Sequence, residues 1–191
     1  AYLGEFKLPQ LRTLSRMMAA AERQGNTLLH KTDVTSAFNN MFLSPAAALL
    51  QTFLVGDMAI IPLVAGFGWC AAPAFYNVIA GAIDWAHNGG VSDNCLDAWT
   101  LATDSRSVTP RNSDKFYRSL TYVDDSCGQS SILTVTGDMR DLQVIITRLL
   151  GPLAYNVKKT EGPAHAITII GWACDLRRYT ICPSLKGQCK L

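Results

Sequence analysis

Two adjacent carboxylates, Asp124 and Asp125, lie in the stretch Lys115 to Gly137, KFYRSLTYVDDSCGQSSILTVTG. Aromatic and β-branched residues stand before the pair and again after a polar SCGQSS run, which predicts a strand, a turn and a second strand. These residues are Phe116, Leu120, Tyr122 and Val123 before the pair and Ile132, Leu133 and Val135 after it. An isolated Asp pair is usually a solvated turn. Held at a hairpin tip, however, the pair could chelate a hard divalent cation if at least one more acid joined it.

Asp33 is the candidate for this third acid. The segment Thr27 to Val34, TLLHKTDV, has the composition of a strand whose last residues present Asp33. A single Asp at a strand end is usually only a turn former, and Phe38, which follows it, is by itself an ordinary core aromatic. Further along, Ser44 and Pro45 predict the start of a short helix.

The composition limits the possible functions without choosing among them. A chain of 191 residues can form one domain with a sizeable core, although the missing initial Met and the GQCKL end favour a fragment of a larger protein. The net charge of +2 permits a polyanionic partner but does not argue for one. The six cysteines form no CxxC pair or Cys/His cluster, so neither a zinc site nor a disulfide scaffold is indicated. We therefore expect a reducing, intracellular compartment, cytoplasmic or nuclear.

The apolar run Met58 to Ile83 has no charged side chain and is long enough for a membrane span. It is interrupted by residues that free backbone groups, which a single span could not satisfy. These residues are Pro62, Gly66, Gly68, Pro73, Asn77 and Gly81. We predict instead that Gln51 to Ala65 forms a hairpin turning at Val55 to Asp57, with both strands buried on a core. No signal peptide is visible, and we expect no membrane partner.

Three amphipathic helices are predicted, at Leu8 to Gln24, from Pro73 to a stop at Gly89, and at Asp138 to Leu150. Their apolar faces are, in order, Leu11, Leu14 and Met18; Phe75, Val78, Ile79, Ala82, Ile83 and Ala86; and Leu142, Ile145, Ile146 and Leu149. A glycine-rich turn precedes the second helix, and such a turn lets the backbone approach a nucleotide closely. Three basic residues lie on or near the first helix: Lys7, Arg12 and Arg16. We expect them to form a solvated face, with contact to phosphate as the alternative.

The remaining segments are predicted from their turn signals and alternation. Val91 to Asp114, which carries Trp99, is expected to be a long loop. Tyr155 to Glu161 is expected to be a loop with two lysines. Ala166 to Cys182 alternates as a hairpin would, with a turn near Asp175 to Arg177.

Five short motifs occur in the order found in the palm of reverse transcriptases. Asp33 with Phe38 resembles the first motif, FGWCAAPAF at Phe67 to Phe75 the second, YVDD at Tyr122 to Asp125 the third, NVKK at Asn156 to Lys159 the fourth and Ile170-Gly171-Trp172 the fifth. The chain therefore resembles the palm of a retroelement reverse transcriptase. The run KTEGPAHAITIIGW is most similar to tyrosine-recombinase-encoding (DIRS-type) elements. Trp69 and Ile170 depart from the pattern, since Leu is commoner at both positions, and the 91–114 loop lengthens the gap between the second and third motifs.

This resemblance implies an α+β fold, a polymerase palm with an antiparallel sheet and helices packed on one face. Residues 1–191 would be the palm with part of the fingers, and thumb, connection and RNase H segments are absent from this sequence. The implied activity is that of an RNA-directed DNA polymerase, which adds dNTPs to a primer 3′-hydroxyl under the direction of a template in retroelement replication. The implied partners are an RNA or DNA template with its primer, dNTPs and the rest of a retroelement polyprotein.

The resemblance also implies roles for individual residues. Two Mg²⁺ ions, or Mn²⁺ in their place, would be held by Asp33, Asp124 and the Val34 carbonyl, with Asp125 supporting the pair. Lys159 would approach the triphosphate and act as a general acid toward the leaving pyrophosphate. The residues implied to contact the nucleotide are Phe38 beneath the sugar, Phe67 and Gly68 along the nascent base pair, and Tyr122 of the YVDD motif.

Two other functions stay open at this point. The chain could be a catalytically inactive palm that binds a template or assembles a polyprotein, although the complete set of three Asp residues argues against this. It could also be a metal-dependent phosphohydrolase that uses Asp33, but that function does not explain the ordered motifs around it.

Overall fold

The structure, a computed structural model, describes residues 11–88 and 119–184. Its helices are α1 (Leu11–Gln24), α2 (Pro45–Leu50), α3 (Ala72–His87) and α4 (Val135–Leu150), with short 3₁₀ helices at Ala37–Asn40 and Val157–Lys159. Its strands are β1 (Thr27–Asp33), β2 (Phe53–Val55), β3 (Met58–Ile60), β4 (Ser119–Tyr122), β5 (Asp125–Ser131), β6 (Glu161–Ala164), β7 (Ala166–Ile169), β8 (Trp172–Asp175) and β9 (Thr180–Pro183). The expectations for Lys7, Gly89, the 91–114 loop with Trp99, and Phe116 lie outside the described residues.

The centre of the fold is an antiparallel sheet with the strand order β4-β5-β1-β6. The inner strands β1 and β5 pair from Thr27 opposite Ser131 to Asp33 opposite Asp125. On the other side of β1, strand β6 approaches so closely that a Cβ at Gly162 would meet the Leu29 carbonyl oxygen at 2.6 Å. The φ of +99° at Gly162 also disfavours any other residue. The pairing therefore brings the end of β1 and the start of β5 together at one end of the sheet.

The two faces of this sheet differ in character, because successive side chains of a strand point to opposite faces. Leu29, Leu120 and Cys127 belong to an apolar core shared with α1 and with the separate β7-β8-β9 sheet. Thr121, next to Leu120, instead hydrogen-bonds to Asp84 of α3 on the opposite face. Buried polar residues on that side of the sheet and on its helices include His30, Asn77, His87, Ser126, Ser130 and Asp138. Helices α3 and α4 thus pack on one face of an antiparallel sheet, and the predicted α+β arrangement is confirmed.

Local sequence signals explain where several helices begin and end. Ser44 caps α2, since its hydroxyl accepts a hydrogen bond from the backbone N–H of Ala47 at 3.3 Å, and Pro45 opens the helix. Helix α1 ends before Gly25 and α4 ends before Gly151, both of which have positive φ. The start predicted for α2 and the ends predicted for α1 and α4 are therefore confirmed. The strand predicted within Thr27 to Val34 is confirmed as β1.

The hairpin predicted within Gln51 to Ala65 is present, but its predicted burial is wrong. Strands β2 and β3 pair around the turn at Gly56 and Asp57. All six of their residues are exposed, because the two strands form a sheet of their own that adds no strand to the central one. Within residues 11–88 and 119–184, no helix is long and apolar enough to cross a membrane.

The buried face predicted for α3 is also wrong. Phe75, Val78, Ala82 and Ala86 of that face are exposed, and of the predicted set Ile83 alone is fully buried. The residues that α3 buries are Ala72, Tyr76, Asn77, Ala80, Gly81, Ile83, Asp84 and His87. The physical reason is that α3 packs against the polar face of the sheet, so its buried side carries hydrogen-bonding residues.

Strand β5 consists of the polar residues predicted to form a turn. Asp125 to Ser131 all pair with β1, and the first four of them also pair with β4. Ile132 and Leu133, which were expected to form the strand, are exposed in the turn before α4. Helix α4 consequently begins at Val135 rather than Asp138, and Leu149 of its predicted face is exposed. Strand pairing of an inner strand satisfies the backbone whatever the side chains are, so hydrophobic periodicity alone misplaced this strand.

The predicted hairpin at Ala166 to Cys182 is a three-stranded antiparallel meander. Strands β7 and β8 are joined by a turn at Ile170 and Gly171, both with positive φ, and β9 returns beside β8. The predicted turn near Asp175 to Arg177 is therefore only the second of two turns.

His30 makes the stability of this fold dependent on pH. The side chain is buried on β1, and burial together with the nearby His87 lowers its pKa from 6.5 to about 4, while Asp138 partly opposes the shift. Between these values the unfolded chain binds a proton that the folded chain does not, so stability is lost as the pH falls from 6.5 toward 4. At about 1.4 kcal/mol for each pKa unit, the loss is at most about 3 to 4 kcal/mol.

We expect His30→Asn to flatten the dependence of the free energy of unfolding on pH in this window, measured by urea denaturation. His165→Asn, which changes a partly exposed histidine, is the matched control and should leave the slope unchanged. Equal slopes for wild type and His30→Asn would contradict the assignment.

Candidate active site

The end of β1 and the β4–β5 turn converge because of their strand pairing. Asp33 lies opposite Asp125 in the register, and the backbone N–H of Val34 donates to the carbonyl oxygen of Asp124 at 2.8 Å. The turn between β4 and β5 contains Val123 in the left-handed region, with φ of +55°, followed by Asp124. The hairpin tip and β1 are thus joined directly at the point where all three candidate acids occur.

The Asp33 carboxylate is buried and both of its oxygens accept hydrogen bonds. Lys159 Nζ donates to Oδ2 at 2.8 Å and Asn156 Nδ2 donates to Oδ1 at 3.0 Å. Asn156 is further fixed by its backbone N–H, which donates to the Asp33 carbonyl at 3.0 Å, and its side chain caps the short helix that carries Lys159. Sequence analysis included Asn156 in the NVKK motif without giving it a role. Its position as the residue before a short helix is the signal that could have identified it.

The neighbouring carboxyls carry an excess of negative charge. Burial raises the pKa of Asp124, and the charge of Asp33 adds to the rise, whereas a backbone hydrogen bond and Lys159 oppose it. Burial also raises the pKa of Asp125, with further contributions from Asp124 and Asp33, while Lys31 and Lys159 oppose the rise. The pKa of Lys159 is raised by its hydrogen bond to Asp33 and by that residue's charge. A further cation would therefore be stabilised at this end of the sheet.

A cavity of about 340 Å³ opens beside these acids. Its lining is Asp33, Val34, Thr35, Ser36, Ala37, Phe38, Phe67, Val123, Asp124, Asn156 and Lys159. Most of the predicted site residues thus meet around one space. Tyr122 does not line it, because its side chain lines a second cavity with Leu11 and Trp172. Gly68, with φ of +96° and open space around it, follows Phe67 in the chain.

Three aromatic rings pack in a row, and two of them, Phe38 and Phe67, line the cavity. The centroid of Phe38 lies 5.3 Å from that of Phe67 and 6.0 Å from that of Tyr76, in edge-to-face geometry at both contacts. Phe67 is largely exposed and Tyr76 is fully buried. Sequence analysis missed Tyr76, which the apolar pattern chosen for α3 placed off the buried face. Phe38 therefore has packing contacts and also contributes to the cavity.

The donor set fits a hard divalent cation in its chemistry. Carboxylate and carbonyl oxygens are the ligands such ions take. The pKa values of Asp124 and Asp125 are raised first by burial and then by the charges of neighbouring carboxylates, and a cation would relieve the repulsion between those charges. In the described part of the chain, however, no group of three His, Cys, Asp or Glu side chains is arranged to hold a metal ion. Because Lys159 contacts Asp33 Oδ2, that oxygen is available to a cation only after the ammonium group moves away.

Solved structures of other proteins match the fold of this chain, although no protein-family model and no curated protein matches it. The foamy viral protease-reverse transcriptase dRH in complex with ds DNA has a TM-score of 0.58 at 12% identity, covering 85% of this chain and 23% of that chain. The foamy viral protease-reverse transcriptase in complex with dsDNA has a TM-score of 0.52 at 13% identity, covering 85% and 28%. Apo telomerase from Candida tropicalis, truncated from its C-terminal domain, has a TM-score of 0.49 at 11% identity, covering 93% and 40%, which is too low to support an inference. The chain spans about a quarter of the length of the two viral proteins, and it has a reverse transcriptase-like polymerase fold.

Lys159→Gln should destabilise the protein because it leaves the buried Asp33 carboxylate without its cationic partner. Since Lys159 itself is largely exposed, solvent screens the pair and we expect a loss of about 1 kcal/mol, or about 2 to 4 °C in Tm. Lys158→Gln, at the exposed neighbouring position, is the matched control and should change Tm little. Equal melting temperatures for the two variants, measured by calorimetry, would show that the ion pair contributes nothing.

Proposed function

We propose that this chain is the palm region, with part of the fingers, of an RNA-directed DNA polymerase of a retroelement. The observation that carries the proposal is the meeting of Asp33 with the Asp124–Asp125 hairpin tip beside one cavity, at the end of the central sheet. The reverse transcriptase-like fold supports it. The reaction would be template-directed addition of dNTPs to a primer 3′-hydroxyl.

Two Mg²⁺ ions, or Mn²⁺, would be held by Asp33, Asp124 and the carbonyl of Val34, with Asp125 supporting them through its charge. When bound, such ions activate the attacking hydroxyl and neutralise charge on the leaving oxygen. Burial, and after it the charges of neighbouring carboxylates, raise the pKa values of Asp124 and Asp125. This favours the role, because a bound cation would stabilise the charged form of both carboxyls.

Lys159 would change partners during the reaction. In the structure its ammonium group neutralises Asp33, and a cation bound at Asp33 would take over that task. The released ammonium group, a cation and a proton donor, would attract the triphosphate and donate a proton to the leaving pyrophosphate.

The partners would be a template with its primer and dNTPs. The two viral proteins of similar fold are described in complex with double-stranded DNA, which supports a nucleic-acid partner here. The closer assignment to tyrosine-recombinase-encoding (DIRS-type) elements and the link to a polyprotein stay predictions from the sequence. A catalytically inactive, template-binding palm is the alternative. The buried Asp33 and the half-buried Asp124 and Asp125 argue against it, since burial and mutual repulsion make three neighbouring carboxylates costly without a cation.

Replacement of either principal acid tests the proposal directly. Asp33→Asn and Asp124→Asn should each reduce Mg²⁺-dependent primer extension to a few per cent of wild type or less, because a metal supplies several kcal/mol to the transition state. Both variants should still bind primer-template, since phosphate contacts dominate that affinity. Asp141→Asn, at an exposed position of α4, is the matched control and should retain extension.

The possible outcomes separate the two functions. Substantial extension by either Asn variant would sink the catalytic assignment. Tight primer-template binding by wild-type protein that never extends a primer would favour the inactive palm.

Phe38→Val tests whether the ring selects deoxyribose. If Phe38 lies beneath the incoming sugar, the smaller side chain should raise ribonucleotide incorporation at least tenfold, because each 1.4 kcal/mol of relieved clash is about tenfold, while dNTP use changes less. Phe42→Val, at an exposed position, is the control. The measurement is single-nucleotide incorporation of rNTP and dNTP.

An unchanged rNTP to dNTP ratio would leave Phe38 with its packing role alone. In that case its contacts to Phe67 and Tyr76 predict only a loss of stability, of about 1 to 2 kcal/mol for a half-buried ring.

A further inference from the structure

Apolar packing explains why the ring of Tyr76 is buried, but it does not explain the hydroxyl group that the ring carries. The residue is fully buried on α3, in an apolar cluster with Val34, Ala37 and Ile83. Its hydroxyl has no hydrogen-bond partner within residues 11–88 and 119–184. A buried polar group without a partner lowers stability, so a Phe would fill the same space at less cost.

The ring of Tyr76 packs beside the chain neighbours of the candidate acids. Val34, which follows Asp33, belongs to the same cluster, and Val123, which precedes Asp124, packs against it. Burial raises the pKa of Tyr76, and the charges of Asp124 and Asp33 add to the rise. The phenol therefore stays protonated, and toward a carboxylate it can act only as a hydrogen-bond donor.

Neutral and charged donors have different consequences for a carboxylate that binds a cation. A charged donor such as Lys159 competes with the cation, because both neutralise the same oxygen. A neutral donor orients a carboxylate and can remain in place when the cation binds. Asn156 already does this for Asp33, where its amide donates to Oδ1. The Asp124 carboxylate accepts a hydrogen bond from its own backbone N–H, but no side chain among residues 11–88 and 119–184 is seen to donate to it.

We propose that Tyr76 is a positioning residue for Asp124: its hydroxyl donates a hydrogen bond to the Asp124 carboxylate when that side chain turns to bind a divalent cation. The proposal rests on the function proposed above. Asp124 lies in a turn and is partly exposed, so its side chain has room to reorient, whereas Tyr76 is held by the packing of α3. Each of the two principal acids would then have one neutral side-chain donor.

The test removes the hydroxyl and keeps the ring. Tyr76→Phe should leave the Tm of the metal-free chain unchanged or higher, because an unpartnered buried hydroxyl is lost. The same variant should bind Mg²⁺ about tenfold more weakly, the effect typical of losing a residue that orients a metal ligand. Both quantities are measured on the full 191-residue chain, by calorimetry without metal and by titration with Mg²⁺ alone. Tyr179→Phe removes an exposed hydroxyl and is the matched control.

Three results would overturn the proposal, and they are distinguishable. Equal Mg²⁺ affinity in wild type and Tyr76→Phe, with affinity lost in Asp124→Asn, would overturn the role of Tyr76 and leave the proposed function intact. A fall in Tm together with affinity would assign the effect to lost packing. Absence of Mg²⁺ binding by the wild-type chain would overturn the proposed function and this inference with it.

Discussion

The antiparallel pairing of β1 with β5 is the constraint on which both the core and the candidate site depend. Its register sets Asp33 opposite Asp125 and joins Val34 to the hairpin tip through the Asp124 carbonyl. A slip of one residue would move every side chain of β1 to the other face of the sheet. Leu29 would leave the apolar core under α1, and Asp33 would leave Lys159. Packing of the interior therefore specifies the geometry of the acids, so the site needs no separate device to align its two halves.

This convergence has an electrostatic cost that the fold offsets only in part. The Lys159 ammonium group and the Asn156 amide satisfy Asp33, but Asp124 and Asp125 keep raised pKa values because burial and their neighbours disfavour the charged form. A ligand that binds the folded chain and not the unfolded chain adds to its stability by mass action. The charge that makes the metal-free site unfavourable is thus the same charge that would give a divalent cation its affinity.

Sequence reasoning succeeded where chemistry and local signals act together, and failed where polar residues are buried. The strand ending at Asp33, the turn carrying Asp124 and the cap at Ser44 follow from short-range patterns. Whether Asp33 and Asp124 meet is a matter of sheet pairing between distant segments, and only the order of the motifs suggested it. Strand β5 and the buried face of α3 were misjudged because hydrophobic periodicity assumes an apolar interior. The exposed β2–β3 hairpin was misjudged for the opposite reason, since apolar residues can form a strand without being covered.

The buried polar layer that misled the sequence reasoning also supports the site. Asp84 of α3 accepts hydrogen bonds from the backbone N–H of Thr121 at 2.9 Å and from its hydroxyl at 2.6 Å, and that hydroxyl lies 2.9 Å from Ser126. Thr121 and Ser126 flank the turn that carries Asp124, so these bonds fix the base of the hairpin to α3. Apolar contacts alone would allow the hairpin to slide, because they are not directional. Two turns earlier on the same helix, Tyr76 belongs to the cluster against which Val123 of the hairpin tip packs. One helix thus holds the hairpin at its base and faces its tip, which explains why α3 buries polar side chains here.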